Sequence, residues 1–280
     1  MRAKSCFVIL AVCCLAGLST SAFGQPAKEL FSDEFNGRRT TSIDASKWIA
    51  ETGGGGWGNE ELQYYTDRTD NVRVDGKGNL EIRAIPVAAD DTLDCWYGKC
   101  RYTSARLITK GKFQFTYGRA EARIRVPEGD GVWPAFWMLG SDIDKVGWPE
   151  CGEIDIMEFI GREPSTVYGT LHGPGYSGAK GINRSVSLPQ SQKVSSGFHV
   201  FAVEWEPAQI RWYFDGKLYS TLTSNDIPSG SRWAFDRPHF LILNFAVGGK
   251  WPGGPAASTK FPQSMLVDYV RVTSPSQDKS

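Results

Sequence analysis

Apolar and polar residues alternate along much of this chain, with the period of two that marks a half-buried strand. Leu80-Glu81-Ile82-Arg83-Ala84 alternates in this way, and residues 113–126 do so for longer. There Ala120, Ala122, Ile124 and Val126 fall on one face, and Glu121, Arg123 and Arg125 on the other. Shorter alternating runs follow at 167–172, 198–206, 210–214 and 265–273, and residues 29–35 open as an extended piece. Residues 240–247 are continuously apolar apart from Asn244. Asp215-Gly216 joins two alternating runs and predicts a hairpin into residues 217–221. No long segment of period 3.6, internal repeat or linker interrupts the series. Many short strands separated by turns predict a single all-β domain built as a β-sandwich.

Two stretches depart from plain alternation. Residues 132–139 are nearly all apolar, with Trp133 and Trp137 at even spacing and hence on one face. Such indoles either pack in a core or offer flat faces to sugar rings, and both readings stand at this point. The second departure is Gly152-Glu153-Ile154-Asp155-Ile156-Met157-Glu158-Phe159-Ile160-Gly161, which sets three carboxylates in a β-branched, apolar run. In a regular strand Glu153 and Asp155 share a face and Glu158 opposes them. A β-bulge near Ile156 or Met157 absorbs one residue and returns Glu158 to the shared face. Glu153 and Glu158 are then roughly 13 Å apart at Cα. Inward-leaning side chains can bring them toward the separation of about 5 to 5.5 Å that a retaining glycosidase needs.

Composition narrows the function. The 280 residues carry 31 basic and 31 acidic side chains, which argues against a nucleic-acid or anionic-membrane partner. Residues 1–24 read as a secretory signal peptide: Arg2 and Lys4 start it, an apolar run too short to span a bilayer follows, and Ala22-Phe23-Gly24 ends it. A buried N-terminal helix and a lipid anchor at Cys13 or Cys14 are the alternatives. Without Arg2 and Lys4, 29 basic residues face 31 acidic ones, so residues 25–280 carry a net charge of −2. Cys95 and Cys100 flank a four-residue loop that a disulfide can close in an oxidising compartment, which leaves Cys151 as a small buried hydrophobe. The five glycines around Trp57 in 53–58 make a loop, and Asn183-Arg184-Ser185 fits a glycosylation acceptor.

Spacing alone leaves three readings of the acidic strand: paired catalytic carboxylates, a calcium cluster, or a structural acidic edge. Calcium loops place their oxygens on flexible turns rather than on an Ile/Met/Phe strand. As catalysts, one glutamate attacks the anomeric carbon while the other arrives protonated and donates to the leaving oxygen. Asp155 between them raises its neighbours' proton affinity or shares a proton with one of them.

The motif Glu153-Ile-Asp-Ile-Met-Glu158 resembles the signature of glycoside hydrolase family 16, in the bulged form of its laminarinase-like branch. Gly56-Trp-Gly-Asn-Glu-Glu-Leu-Gln-Tyr-Tyr-Thr66, Tyr102-Thr-Ser-Ala-Arg-Leu107, Trp133-Pro-Ala-Phe-Trp-Met-Leu-Gly140, His172-Gly-Pro-Gly-Tyr176, Trp205-Glu-Pro207 and Ala246-Val-Gly-Gly-Lys-Trp-Pro252 resemble further family blocks, in family order. The resemblance implies a jelly roll with a concave substrate cleft and retaining endo-hydrolysis of β-1,3-glucan. By position it makes Glu153 the nucleophile, Glu158 the acid/base and Asp155 their helper. It places Asn59, Arg106, Trp133, Trp137, Trp148, His172, Asn244 and Trp251 along the sugar. It also implies a structural calcium ion, not needed for the chemistry, at Glu34, the Gly78 carbonyl and Asp268. The expected protein is secreted and monomeric, without an integral membrane span, and takes β-glucan as its partner. Mixed-linkage hydrolysis, transglycosylation and non-catalytic glucan binding remain as alternatives.

Overall fold

The computed structural model describes residues 27–38 and 42–275, so the expected signal peptide at 1–24 lies outside the described residues. Two antiparallel sheets stack face to face as a jelly-roll sandwich. One has seven strands in the order Ile182–Ser187, Thr166–His172, Glu153–Glu158, Val132–Gly140, His239–Val247, Arg106–Ile108 and Ile49–Glu51. The other runs Lys217–Thr223, Gln209–Phe214, His199–Glu206, Gly118–Arg125, Gln263–Thr273, Leu80–Pro86, Tyr102–Ser104 and Gln63–Tyr65. Two more strands join this second sheet: Glu29–Asp33 pairs with Gln263–Thr273, and Val72–Val74 with Leu80–Pro86. Gln63–Tyr65 and Tyr102–Ser104 are parallel, an exception to the antiparallel pairing.

Alternation explains the stacking. Phe136 and Met138 on one strand, and Leu241, Leu243 and Phe245 on the next, turn inward. They meet Ala120, Ala122, Ile124, Val203, Trp205, Val267 and Val270 of the opposite sheet, all fully buried. Burying each large side chain contributes roughly 1.5–3 kcal/mol, so the core fixes which face of each strand looks outward. On the seven-stranded sheet, the outward residues are the odd-numbered ones of Val132–Gly140 and the even-numbered ones of His239–Val247. At one end of that outer face Ile108, Leu139, Cys151, Phe240 and Ile242 form a second small apolar cluster against Ile143 of the short helix Ile143–Val146.

The predicted hairpin is present: Asp215 and Gly216 have φ of 47° and 74°, between Gln209–Phe214 and Lys217–Thr223. The long run predicted at 113–126 is shorter than its alternation, and the strand is Gly118–Arg125. Tyr117 has φ 64°, which breaks the extended backbone, so Phe113 and Phe115 reach the core from a loop. Cys95 and Cys100 form a disulfide, and Cys151 is free and buried.

Candidate active site

The ladder locates the bulge. Against Val132–Gly140, Met157 pairs with Phe136 and Asp155 with Trp137, so Ile156 has no partner. Against Thr166–His172, Asp155 pairs with Thr170 and Glu158 with Tyr168, three steps facing two. Ile156 and Met157 both turn into the core, at 1% and 0% exposure. Glu153, Asp155 and Glu158 therefore line one groove on the outer face of the seven-stranded sheet. At the break in the ladder the buried Trp212 Nε1 donates to the Asp155 main-chain carbonyl at 2.8 Å, giving that carbonyl a partner.

The groove encloses about 1080 Å³ and is lined by every sugar-contact residue expected from the sequence: Asn59, Arg106, Trp133, Trp137, Trp148, His172, Asn244 and Trp251. Trp148 Nε1 donates to Glu153 Oε2 at 2.7 Å. His172 Nε2 lies 3.4 Å from Asp155 Oδ2 and 3.7 Å from Glu153 Oε1. Glu158 accepts from Trp133 Nε1 at 3.2 Å and from Thr170 Oγ1 at 3.1 Å. Thr170 Oγ1 in turn accepts from Asn183 Nδ2 at 3.1 Å. Trp251 meets Trp133 edge to face, with ring centroids 5.6 Å apart, and Tyr168 at 5.1 Å.

Burial governs the charge of the three acids. Loss of water, followed by the Asp155 charge, pushes Glu153 up to about 8. Burial and then Glu158 hold Asp155 far above the usual carboxylate range, and burial raises Glu158 as well. Asp155 Oδ2 is buried without a hydrogen-bond partner among the described residues. A proton on Asp155 directed at Glu153 satisfies both groups. The arrangement thus favours protons on all three acids, and whichever of them is to attack must first lose its proton.

A second network builds the adjoining arm of the groove. Trp137 Nε1 donates to Asn244 Oδ1 at 2.7 Å, and Asn244 Nδ2 to Tyr65 Oη at 3.0 Å. Tyr65 Oη donates to Glu61 Oε2 at 3.0 Å, Gln63 Nε2 to the same oxygen at 2.6 Å, and Asn59 Nδ2 to Glu61 Oε1 at 3.3 Å. Arg106 lies over the rings of Trp57 and Trp137, at 4.9 and 4.7 Å, and pairs with Glu51 at 2.5 Å. Glu51, Trp57, Glu61, Gln63, Tyr65, Thr170 and Asn183 are site residues that the sequence reading did not assign. For Glu61, Gln63 and Tyr65 a signal existed, since their even spacing puts them on one face.

The model of the family described as "Glycosyl hydrolases family 16" matches residues 57–271. The chain belongs to this family. It is 42% identical over 275 residues to a beta-glucanase of Rhodothermus marinus, covering 94% of this chain and 91% of that protein. It is 41% identical to glucan endo-1,3-beta-glucosidase A1 of Niallia circulans, covering 87% of this chain but only 37% of that longer protein. The endo-beta-1,3-glucanase structure from Pyrococcus furiosus superposes with a TM-score of 0.82 at 48% identity, over 89% of this chain and 94% of that one.

Three expectations about the family 16 domain turn on geometry away from the acids. Pairing brings the segments of Glu34, Gly78 and Asp268 side by side, because Val270 pairs with Asp33 and Val267 with Leu80. Both carboxylates are nevertheless committed to arginines: Glu34 to Arg271 at 2.8 Å and Asp268 to Arg123 at 2.6 Å. A calcium ion held there would have to draw both carboxylates from their arginines. Asn183 is exposed on the strand Ile182–Ser187 but faces the groove. Its amide is bonded inside the groove, where a glycan would occupy the space facing Glu158. Among the described residues no helix is long and apolar enough to cross a membrane.

Proposed function

We propose that this family 16 glycoside hydrolase is a secreted endo-β-1,3-glucanase that cuts internal bonds with retention of configuration. The carrying observation is the bulge at Ile156, which sets Glu153, Asp155 and Glu158 on one face of an aromatic-lined groove. The names of the relatives support the linkage, and the signal-like pattern of residues 1–24 supports secretion.

Glu153 attacks the anomeric carbon as Glu158 donates its proton to the departing glycosidic oxygen, leaving a glycosyl ester on Glu153. Glu158, now ionised, takes a proton from water, whose oxygen displaces Glu153 and restores both groups. The Asp155 proton and the Trp148 indole N–H both face Glu153 and steady its negative charge before attack and after release. Trp133 and Thr170 fix the Glu158 carboxyl where the leaving oxygen must lie. Proton transfer of this kind is worth about 10²–10⁴ in rate.

Parallel digestion of laminarin, lichenan, agarose and xyloglucan tests the reading. Laminarin is expected to fall rapidly in chain length, with mixed oligosaccharides rather than a single terminal sugar. Proton NMR of the first products is expected to show the β-anomer, and an initial α-anomer would overturn the double displacement.

A further inference from the structure

The hairpin closed by Cys95–Cys100 lies outside the groove, yet its contacts converge on one wall of it. The loop it touches, residues 53–62, carries Trp57 and Asn59 into the groove. That loop holds itself only in part, through Trp57 Nε1 to Gly53 O at 3.1 Å and Asn59 N and Glu61 N to Gly56 O at 2.9 and 3.1 Å. Five of its first six residues are glycine, and Trp57 and Glu60 sit at φ 48° and 59°, a region side chains avoid. Such a conformation persists only where the surroundings impose it. On one flank, Leu62 N donates to Val247 O and Lys250 N to Asn59 O. On the other flank stands the hairpin. Trp96 N donates to Gly54 O at 2.9 Å and Trp96 Nε1 to Glu61 O at 2.8 Å, while Tyr97 Oη donates to Leu62 O at 2.6 Å. The fit is tight: a Cβ on Gly54 would stand 2.7 Å from Cys95 Sγ, and one on Gly56 2.8 Å from the Trp96 ring. Trp96 nevertheless remains 48% exposed, so its ring is there to cover the loop rather than to fill a core.

We propose that Trp96 is a positioning residue: through the disulfide-closed hairpin it holds loop 53–62 so that Trp57 and Asn59 meet the sugar. This deepens the β-glucan reading of the groove and rests on it. The hairpin touches none of the three acids, so its effect falls on substrate binding and leaves the bond-breaking step alone. Opening the disulfide frees the hairpin and acts in the same direction.

The test compares the full chain with Trp96→Leu, with Trp96→Phe, which keeps a ring over Gly56 but lacks the N–H, and with the wild type reduced by dithiothreitol. KM for long laminari-oligosaccharides is expected to rise about tenfold in Trp96→Leu, about the worth of the one side-chain hydrogen bond it loses, with Trp96→Phe and the reduced protein in between. kcat is expected to stay within about twofold. Amide exchange at residues 57–62 is expected to accelerate in the same order, with protection of the core strands unchanged. An unchanged KM, or a loss confined to kcat, overturns the inference. Unchanged exchange at 57–62 overturns it as well, and that measurement needs no substrate. A wild type inactive on laminarin overturns the substrate reading instead, and the exchange data still decide the role of Trp96.

Discussion

Trp212 reaches across the sandwich to Asp155: its indole N–H donates to the Asp155 main-chain carbonyl at 2.8 Å, joining the opposite sheet to the bulge that aligns the acids. The ring is fully buried, and Gly169 makes room for it, since a Cβ there would stand 2.5 Å from Trp212 Cδ1. Trp212→Phe keeps most of the ring and orphans the carbonyl. The expected loss is about 1–3 kcal/mol in urea unfolding, with a lower kcat at temperatures where the variant is fully folded.

Glu153→Gln and Glu158→Gln are each expected to lower laminarin hydrolysis by about 10²–10⁴ or more while leaving oligosaccharide binding by calorimetry within a few fold. Undiminished hydrolysis in either removes that residue from its role. Stability should move the other way in Glu153→Gln. Burial raises the Glu153 pKa from its ordinary 4.5 to about 8, so the folded state holds this proton more tightly than the unfolded state. The resulting stability is full below about 4.5 and is lost as pH rises through 8. Glu153→Gln carries no such dependence, and is expected to melt above the wild type at pH 8, with the gap closing toward pH 5.

The acid limb of the kcat/KM profile should respond to the two neighbours of Glu153 in opposite directions. Asp155→Asn keeps a neutral donor toward Glu153 but can never ionise, so it drops the repulsion that Asp155 exerts once it loses its proton, and the limb moves to lower pH. Trp148→Phe removes the N–H that favours the ionised form, so the limb moves to higher pH. Shifts in the same direction for both variants would contradict the assignment of that limb to Glu153.

His239 opposes the buried acids in the pH dependence of stability. It is fully buried between Trp205 and Phe235, its Nδ1 faces the Arg237 carbonyl, and burial holds it down to about 4 from 6.5. Between these values the unfolded chain binds a proton that the folded imidazole refuses, so the His239 contribution to stability falls as pH drops from 6.5 to 4, opposite in sign to that of Glu153. The shift corresponds to about 3 kcal/mol at most. His239→Gln is expected to remove this contribution, read as a slope of unfolding free energy against pH that is less positive than the wild type's between pH 4 and 6.5, even though its baseline stability is lower.

The primary structure determined by itself the things that a local period can carry. Alternation placed the strands at Leu80–Pro86, His199–Glu206, Gln209–Phe214 and Gln263–Thr273 to within a few residues, and the three-step gap from Asp155 to Glu158 called for the bulge that the ladder contains. Strands of three residues, such as Ile49–Glu51, Val72–Val74 and Arg106–Ile108, are too short to show a period, and exposed Ile182–Ser187 has no apolar face to mark it. Alternation also overran at Phe113, because a loop can bury every second side chain without pairing as a strand. Only the tertiary structure decided which distant strands face one another. It joined Tyr65 to Asn244 across 179 residues, set Trp212 beneath Asp155, and turned Asn183 toward Glu158. A side-chain period specifies the face a residue occupies. Its partner on that face depends on sheet order and stacking, which the packing of the whole core fixes at once.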